Sequence, residues 1–463
     1  MKLKSTYRRR TKLTSTSHPE LDEVYRQIIA RAPEHDINPS LDRVQRVCEL
    51  LGDPQNAYQV VHITGTNGKT STSRMIDRLI SVTQLRTGRF TSPHLSSVTE
   101  RIVIDNEPIS PEKFVETYYD VLPYVKMVDD ACKAEGRPKL SFFEVLTVMA
   151  FAAFAEAPID VAVIEVGLGG QWDSTNIVDS KISVFTPIAL DHTKWLGDTV
   201  QDIAHEKSGI IKVNQSVVCA TQTPNVAEII AEKAKDQDSF LFMQGRDFEV
   251  LDRKVALGGQ LLTIRCGNSV YADIFLPLHG SHQSQNAAVA LFVAQELLNS
   301  GGGLDSGLVQ EAFETVESPG RLEVVRNSPT FLVDAAHNPA GVKVLVDALE
   351  EAFAFERLVG VVGVLDDKDA SGMLELMEPI LSHIVITQSS SQRSITPEDL
   401  AEIANDIFDP DQVQIAEKLP EALSLAADLA ESADANGVGA GFGVIVFGSV
   451  VLAAEARILL GKP

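Results

Sequence analysis

Cysteine is scarce in this sequence. Cys48, Cys132, Cys219 and Cys266 lie far apart in 463 residues and form no CxxC pair. That argues against a disulfide framework and leaves reduced, mostly buried thiols, the pattern expected of a cytoplasmic protein. Positive charge is short as well: 40 Lys and Arg against 64 Asp and Glu give a formal net charge of −24. Such a field repels nucleic acid and anionic membranes, which are bound through clustered Lys and Arg, so neither is expected as a partner. It repels small anions too, so an anionic ligand must be held by local donors or by metal ions. Long apolar runs are also missing. The longest uncharged stretch, Ala435–Ala454, approaches the ~20 residues of a membrane span. Its first half is crowded with glycine, however, and reads as a loop leading into a buried strand. The basic start MKLKSTYRRRTK lacks the apolar segment of a secretory signal. A disordered tail over residues 1–20 is expected there, with a transit peptide as the alternative.

What is present is a long soluble chain. At 50.2 kDa it exceeds one ordinary core, and 44% apolar with 22% charged residues is a globular mix. Leu41–Leu51 places Leu41, Val44, Val47 and Leu51 at helical spacing. Tyr58–Ile63 reads as a strand, followed by a glycine loop and a helix to about Ile80. Ser141–Glu156 is nearly all apolar, so a buried helix is expected, feeding a central strand at Ile159–Val166. Further strands are expected at Lys181–Thr186 and Ser216–Cys219, with a helix at Gln201–Lys212 between them. Ser300–Gly307 reads as a flexible break. Beyond it strands near Thr330–Val333, Leu358–Val364, Ile384–Thr387 and Val444–Phe447 alternate with helices at Gly341–Ala352, Pro397–Ile407 and Glu421–Glu431. The expected fold class is therefore α/β with two doubly wound domains: a larger one over residues 21–316 that carries the glycine loop between strand and helix, and a smaller Rossmann-like one over 317–463.

The strongest local signal is Gly65-Thr66-Asn67-Gly68-Lys69-Thr70-Ser71 between a strand and a helix. Glycines let backbone N–H groups turn toward a phosphate, and the helix N-terminus adds its dipole. Lys69 has the reach for β/γ-phosphates and Thr70 or Ser71 for magnesium. Ile63 stands where the full Walker spacing wants glycine, so the loop is a shortened variant. Glu165 ends an apolar strand, where α/β sheets bind ligands, and Asp191-His192 follows the next strand. These two strand ends beside a phosphate loop suit magnesium, which takes few protein ligands; a histidine ligand is unusual for it. In the second half, Asn286 near a helix start and Asp334 in Asp334-Ala335-Ala336-His337-Asn338-Pro339 are either nucleotide contacts or helix caps. Arg321, after Pro319-Gly320, is either a phosphate clamp or an ordinary surface arginine.

Taken together these residues resemble the folylpolyglutamate synthase/dihydrofolate synthase family of the Mur-ligase superfamily. The matching pieces are HITGTNGKTST, TSPHL, SFFEVLT, EVGLGGQWDSTN, ALDHTKWLGDT, AHEKSGIIK, HQSQNAAVA, SPGRLEVV, DAAHNP, GVLDDKD and FGSV, in that order, and they span nearly the whole chain after Ser17. The resemblance implies an ATP-dependent amide ligase that activates a folate carboxylate as an acyl phosphate for attack by L-glutamate. By resemblance, Lys69 holds the phosphates of ATP, with Thr66, Asn67, Gly68, Thr70 and Ser71 completing the loop and Asn286, Arg321, Asp334 and His337 making nucleotide contacts. Ser92, Glu165 and His192, with Thr70, look like the Mg2+ ligands. Lys69, Glu165, His192 and Lys207 are the implied catalytic set, Lys207 matching a lysine that family members carry as a carbamate. Phe143, Asp173 and Ser174 are similar to pterin-pocket positions. The implied partners are ATP, L-glutamate and a reduced folate or dihydropteroate, handled by a monomer. Two departures stand out. Gln171 replaces an arginine common in the family, which removes an anion contact, and Trp172 beside it reshapes the pterin wall. Ser318 stands where a tryptophan often precedes the proline. A cell-wall ligase of the same superfamily would carry a nucleotide-sugar domain ahead of the loop, and only about sixty residues precede Gly65.

Overall fold

The computed structural model describes residues 18–32, 38–298, 303–431 and 441–462. The first half is built on a mixed sheet of β1 (Gln59–Thr64), β2 (Thr87–Phe90), β3 (Ile102–Ile104), β4 (Glu107–Pro108), β5 (Val161–Glu165), β6 (Ile182–Phe185), β7 (Ser216–Cys219) and β8 (Phe240–Met243). Their order is β4-β3-β2-β5-β1-β6-β7-β8, parallel throughout except at β3 and β4. Side chains alternate across a strand, so both faces of a central strand must be apolar. Val61 and Ile63 accordingly join a core with the helices Lys69–Ser81 and Ser281–Leu297, while Val60 joins the opposite core under Phe142–Glu156. Chain connections leave β1 toward β2 on one side and β6 lies on the other, and this switch point opens a crevice at the C-terminal strand ends.

A three-stranded antiparallel sheet, β9 (Phe248–Ala256), β10 (Gly259–Cys266) and β11 (Ser269–Leu276), follows and is absent from the sequence reading. Leu262, Ile264 and Cys266 alternate inward along β10 and cover the helix Ser281–Leu297, which explains why that helix is wholly apolar from Ala287 to Ala294. The second half holds β12 (Glu323–Asn327), β13 (Thr330–Val333), β14 (Arg357–Val362), β15 (His383–Ile386), β16 (Val413–Ile415) and β17 (Phe442–Phe447) in the order β12-β13-β17-β14-β15-β16, parallel except for β12. The uncharged run thus supplies the central strand β17, paired on both sides, and the start of the helix Val450–Leu459; residues 435–440 lie outside the described residues. No helix among the described residues is long and apolar enough to cross a membrane.

Several boundaries differ from expectation. The helix expected over Gln201–Lys212 runs Val200–Ser208, because Gly209 caps it and the chain turns to reach β7. Of the expected break at Ser300–Gly307, residues 300–302 lie outside the described residues, and Asp305 caps a helix, Ser306–Glu314, that takes in Ser306 and Gly307. Residues 1–17 of the expected tail lie outside them too, but Pro19 and Glu20 already form the first turn of the helix Pro19–Ile29, capped by His18. All four cysteines are free and buried, and burial pushes the Cys48, Cys219 and Cys266 thiols up to about 12. They are core residues. Phe154 is fully buried and meets Tyr58 edge-on at 5.9 Å between ring centres. Phe154→Ala should therefore cost about 3–5 kcal/mol of stability, read from the urea midpoint.

Candidate active site

β1 and β6 run side by side, and the chain leaving β1 must pass against the end of β6. At Gly65 a Cβ would sit 2.0 Å from Thr186 Oγ1, so no other residue fits. Thr66 and Asn67 N–H donate to Pro187 O at 3.0 and 3.4 Å, and Thr66 Oγ1 donates to Ala189 O at 3.0 Å. Gly68 (φ 86°) starts the helix Lys69–Ser81, and a Cβ there would meet Asn286 Oδ1 at 2.9 Å. Asn286 is thus laid over the loop, with its Nδ2 donating to Gln283 Oε1 at 3.2 Å. Lys69 folds back, its Nζ donating to Gly65 O at 3.0 Å and Thr66 O at 3.1 Å. Burial lowers its pKa, against the pull of Glu165 and Asp191.

Glu165 is buried at the end of β5 and receives Thr70 Oγ1 at 3.1 Å on each carboxylate oxygen. Burial raises its pKa, opposed by Lys69, Thr70, Arg321 and Arg89. Among the described residues it has no ion-pair partner within contact, which leaves a hard oxygen donor facing the loop. A magnesium ion fits such a donor set, since it takes one or two carboxylates and completes its shell with phosphate oxygens and water. No group of three His, Cys, Asp or Glu suited to a metal exists among the described residues, so hydroxyls and phosphate must supply the rest. Ser92 follows β2 with its hydroxyl free of hydrogen bonds among the described residues. His192 adopts φ 51°, and burial pushes its pKa down to about 4, leaving the neutral imidazole that metal ligation requires. Lys207 is buried in the helix Val200–Ser208, and burial followed by the charge of Lys69 pushes its pKa down to about 7.

The second half closes over this loop. Ser71 Oγ lies 2.9 Å from Ser318 Oγ, and Asn67 Nδ2 donates to Asn338 Oδ1 at 3.2 Å. Asp191 is the meeting point: Lys368 Nζ donates to Oδ1 at 2.6 Å, and Asn338 Nδ2 to Oδ2 at 3.0 Å, with His337 Nε2 3.5 Å away. Burial would raise the Asp191 carboxyl, but the bond to His337 and the charges of His192, His337 and Lys368 hold it well below the usual carboxylate range. Its oxygens are committed to the second half, so of the pair Asp191-His192 the histidine alone remains open to a ligand. Lys368 and Asn338 were not singled out from the sequence; the GVLDDKD piece held the signal for Lys368. Asp334 serves the backbone, its carboxylate accepting Leu322 N and Ala336 N at 2.7 Å each, while Arg321 lines a cleft with Thr70.

The expected pterin positions lie on other elements. Phe143 stacks on Phe90 at 5.7 Å and needs the bare Gly167, where a Cβ would come within 2.5 Å of the ring. Asp173 accepts Leu168 N and Thr175 N at 2.9 Å each, and Ser174 Oγ lies 2.9 Å from Thr147 Oγ1. In this structure Asp173 caps a 3-10 turn, Ser174–Ile177.

Residues 63–294 match the Mur ligase middle domain, and residues 320–441 the Mur ligase glutamate ligase domain. The dihydrofolate synthase/folylpolyglutamate synthase of Mycobacterium tuberculosis is 45% identical over 448 residues, 93% of this chain and 92% of that protein. The chain belongs to the folylpolyglutamate synthase/dihydrofolate synthase family of Mur ligases. The Bacillus subtilis member is 34% identical over 81% of this chain and 88% of its own. A crystal structure of M. tuberculosis folylpolyglutamate synthase complexed with ADP and AMPPCP superimposes with a TM-score of 0.91 at 44% identity, covering 96% of this chain and 99% of that one. The E. coli FolC complex with DHPP and ADP gives 0.80 at 26% identity, over 95% and 97% of the two chains.

Lys368→Met should strand the buried Asp191 carboxylate, a loss of about 3 kcal/mol for a broken buried pair. The ligand-free variant is expected to scatter X-rays with a larger radius of gyration than the parent, and adding Asp191→Asn should reverse part of the change.

Proposed function

We propose that the chain is an ATP-dependent ligase that adds L-glutamate to a folate carboxylate. The observation that carries this reading is Glu165 facing Thr70 of the phosphate loop while Ser318 and, from the glutamate ligase domain, Arg321 border the same loop and helix. A carboxylate oxygen attacks the γ-phosphorus of ATP and ADP leaves. The glutamate amine then attacks the acyl carbon, losing a proton, and phosphate departs as the amide forms. Both early reactants are anions, so cations must lie between them. Lys69 crosses the phosphates from its loop. Thr66, Asn67, Gly68 and Ser71 hold the nucleotide from below, with Asn286, Asp334 and His337 around it. Thr70, Ser92, Glu165 and His192 would hold Mg2+, which supplies charge neutralisation at the transferred phosphoryl group. Phe143, Asp173 and Ser174 border the pterin. In this reading the domains divide near residue 316, and the enzyme works as a cytoplasmic monomer on ATP, glutamate and either dihydropteroate or a reduced folate.

Lys207 fits a carbamate. Its neutral amine can add carbon dioxide, and with a pKa pushed down to about 7 from 10.5 the amine is neutral above about pH 7. The carbamate anion would face Lys69 where a lysine cation now opposes it.

Lys69→Ala should abolish glutamate-dependent ADP release with both dihydropteroate and tetrahydrofolate while circular dichroism stays unchanged; near-normal turnover would refute the loop assignment. For Lys207, activity is expected to rise as pH increases through about 7, and to fall in carbon-dioxide-free buffer. Lys207→Ala should be inactive and regain turnover with short carboxylic acids, and intact mass of the parent should include one bound carbon dioxide.

A further inference from the structure

Arg74 has no role in the sequence reading, yet its position is unusual. It lies four residues beyond Thr70 on the helix Lys69–Ser81, on the same face and about 6 Å further along the axis. It lines the cleft between the two halves with Thr70, Pro93, Leu95, Pro319 and Arg321. Among the described residues neither the Arg74 nor the Arg321 guanidinium makes a hydrogen bond or ion pair.

None of the carboxylates nearest in effect to Arg74 hydrogen-bonds or ion-pairs with it among the described residues. Glu100, in the same cleft, accepts Leu95, Ser96 and Ser97 N–H at 2.9, 2.8 and 2.7 Å. Asp77 is fully buried and pairs with Arg89 at 3.4 Å, and Glu165 takes Thr70. Burial and the neighbouring Arg89 push the Arg74 pKa down to about 9. Two half-buried guanidinium groups line one cleft without a hydrogen-bond partner among the described residues, an arrangement that an anion would complete. Val450, the first residue of the ten-residue helix Val450–Leu459, borders the same cleft and turns that helix's N-terminus toward it.

Resting on the ligase reading, we propose that Arg74 binds a non-reacting carboxylate of a substrate. Phosphate is the poorer match, because Lys69 and the loop serve the nucleotide one helical turn away, and Arg74 lies toward Pro93 and Leu95. The planar fork of arginine fits a carboxylate in bidentate fashion, and removing it leaves the anion unpaired. Two molecules bring such a group: the incoming glutamate, and the terminal glutamyl unit of a folate acceptor. Dihydropteroate has no carboxylate beyond the one that reacts.

The test is steady-state kinetics of Arg74→Met and Arg74→Lys with both acceptors. If the glutamate carboxylate is held, Arg74→Met raises the KM for glutamate about tenfold or more with either acceptor. If the acceptor's is held, the KM for tetrahydrofolate rises by that factor and the KM for dihydropteroate does not. Either result supports the proposal, with the KM for ATP little changed and Arg74→Lys falling between. A rise confined to ATP, or no change in any KM, overturns it. Calorimetric titration of L-glutamate and tetrahydrofolate into both proteins with AMPPCP and magnesium present separates the two readings. A parent without turnover on either acceptor refutes the ligase reading, whereas equal binding by parent and Arg74→Met refutes the role of Arg74.

Discussion

The site depends on how closely the chain leaving β1 approaches β6. Gly65 has no room for a Cβ against Thr186, and Pro187 O and Ala189 O hold Thr66 and Asn67 from the same side. That contact fixes where the helix Lys69–Ser81 begins, and so where Lys69 and Thr70 stand. Thr70 in turn meets Glu165 because β5 lies beside β1 in parallel register, Ile63 opposite Glu165. A displaced loop would lose both. The same helix carries Ser71 to Ser318 and Arg74 into the cleft, so the second half docks on a surface that the glycine loop has positioned.

Charge follows the same economy of position. A chain of net charge −24 that handles ATP, glutamate and a folate must attract anions with a handful of groups. Lys69, Lys207, Arg74 and Arg321 are drawn around one crevice, and burial lowers the pKa of Lys69, Lys207 and Arg74. Cations partly stripped of water have most to gain from a bound anion or metal-bound phosphate. Asp191 works in the opposite sense. It is a buried carboxylate whose counter-charge, Lys368, comes from the other half of the chain, so its ionic balance is complete only when the halves meet.

Local signals in the sequence carried far. The alternation of β-branched runs and amphipathic helices is written in periods of two and 3.6 residues, and these gave β1, β7, β13 and the helix Phe142–Glu156 nearly to the residue. The phosphate loop was legible because glycine, lysine and hydroxyl residues there stand in fixed spacing between a strand and a helix. The antiparallel sheet β9–β11 was not, because charged residues fall on both faces of β9, Lys254 outward and Arg253 opposite Leu262, and mask the inward alternation of Leu262 and Ile264 on β10. Asp334 was legible as an aspartate near a helix start and Asp173 only through the family resemblance, as a pterin-pocket position; the structure uses both carboxylates on backbone N–H groups.

By itself the sequence determined the two α/β halves, the loop from Gly65 to Ser71 and the family. Each of these rests on neighbours in the chain, where spacing translates directly into geometry. Only the tertiary structure decided that Asp191 would pair with Lys368, 177 residues away, that Asn286 would lie over Gly68, and that Arg74 would have no hydrogen-bond or ion-pair partner among the described residues. Those outcomes depend on which charges remain once distant strands and helices have packed, and no local period records that.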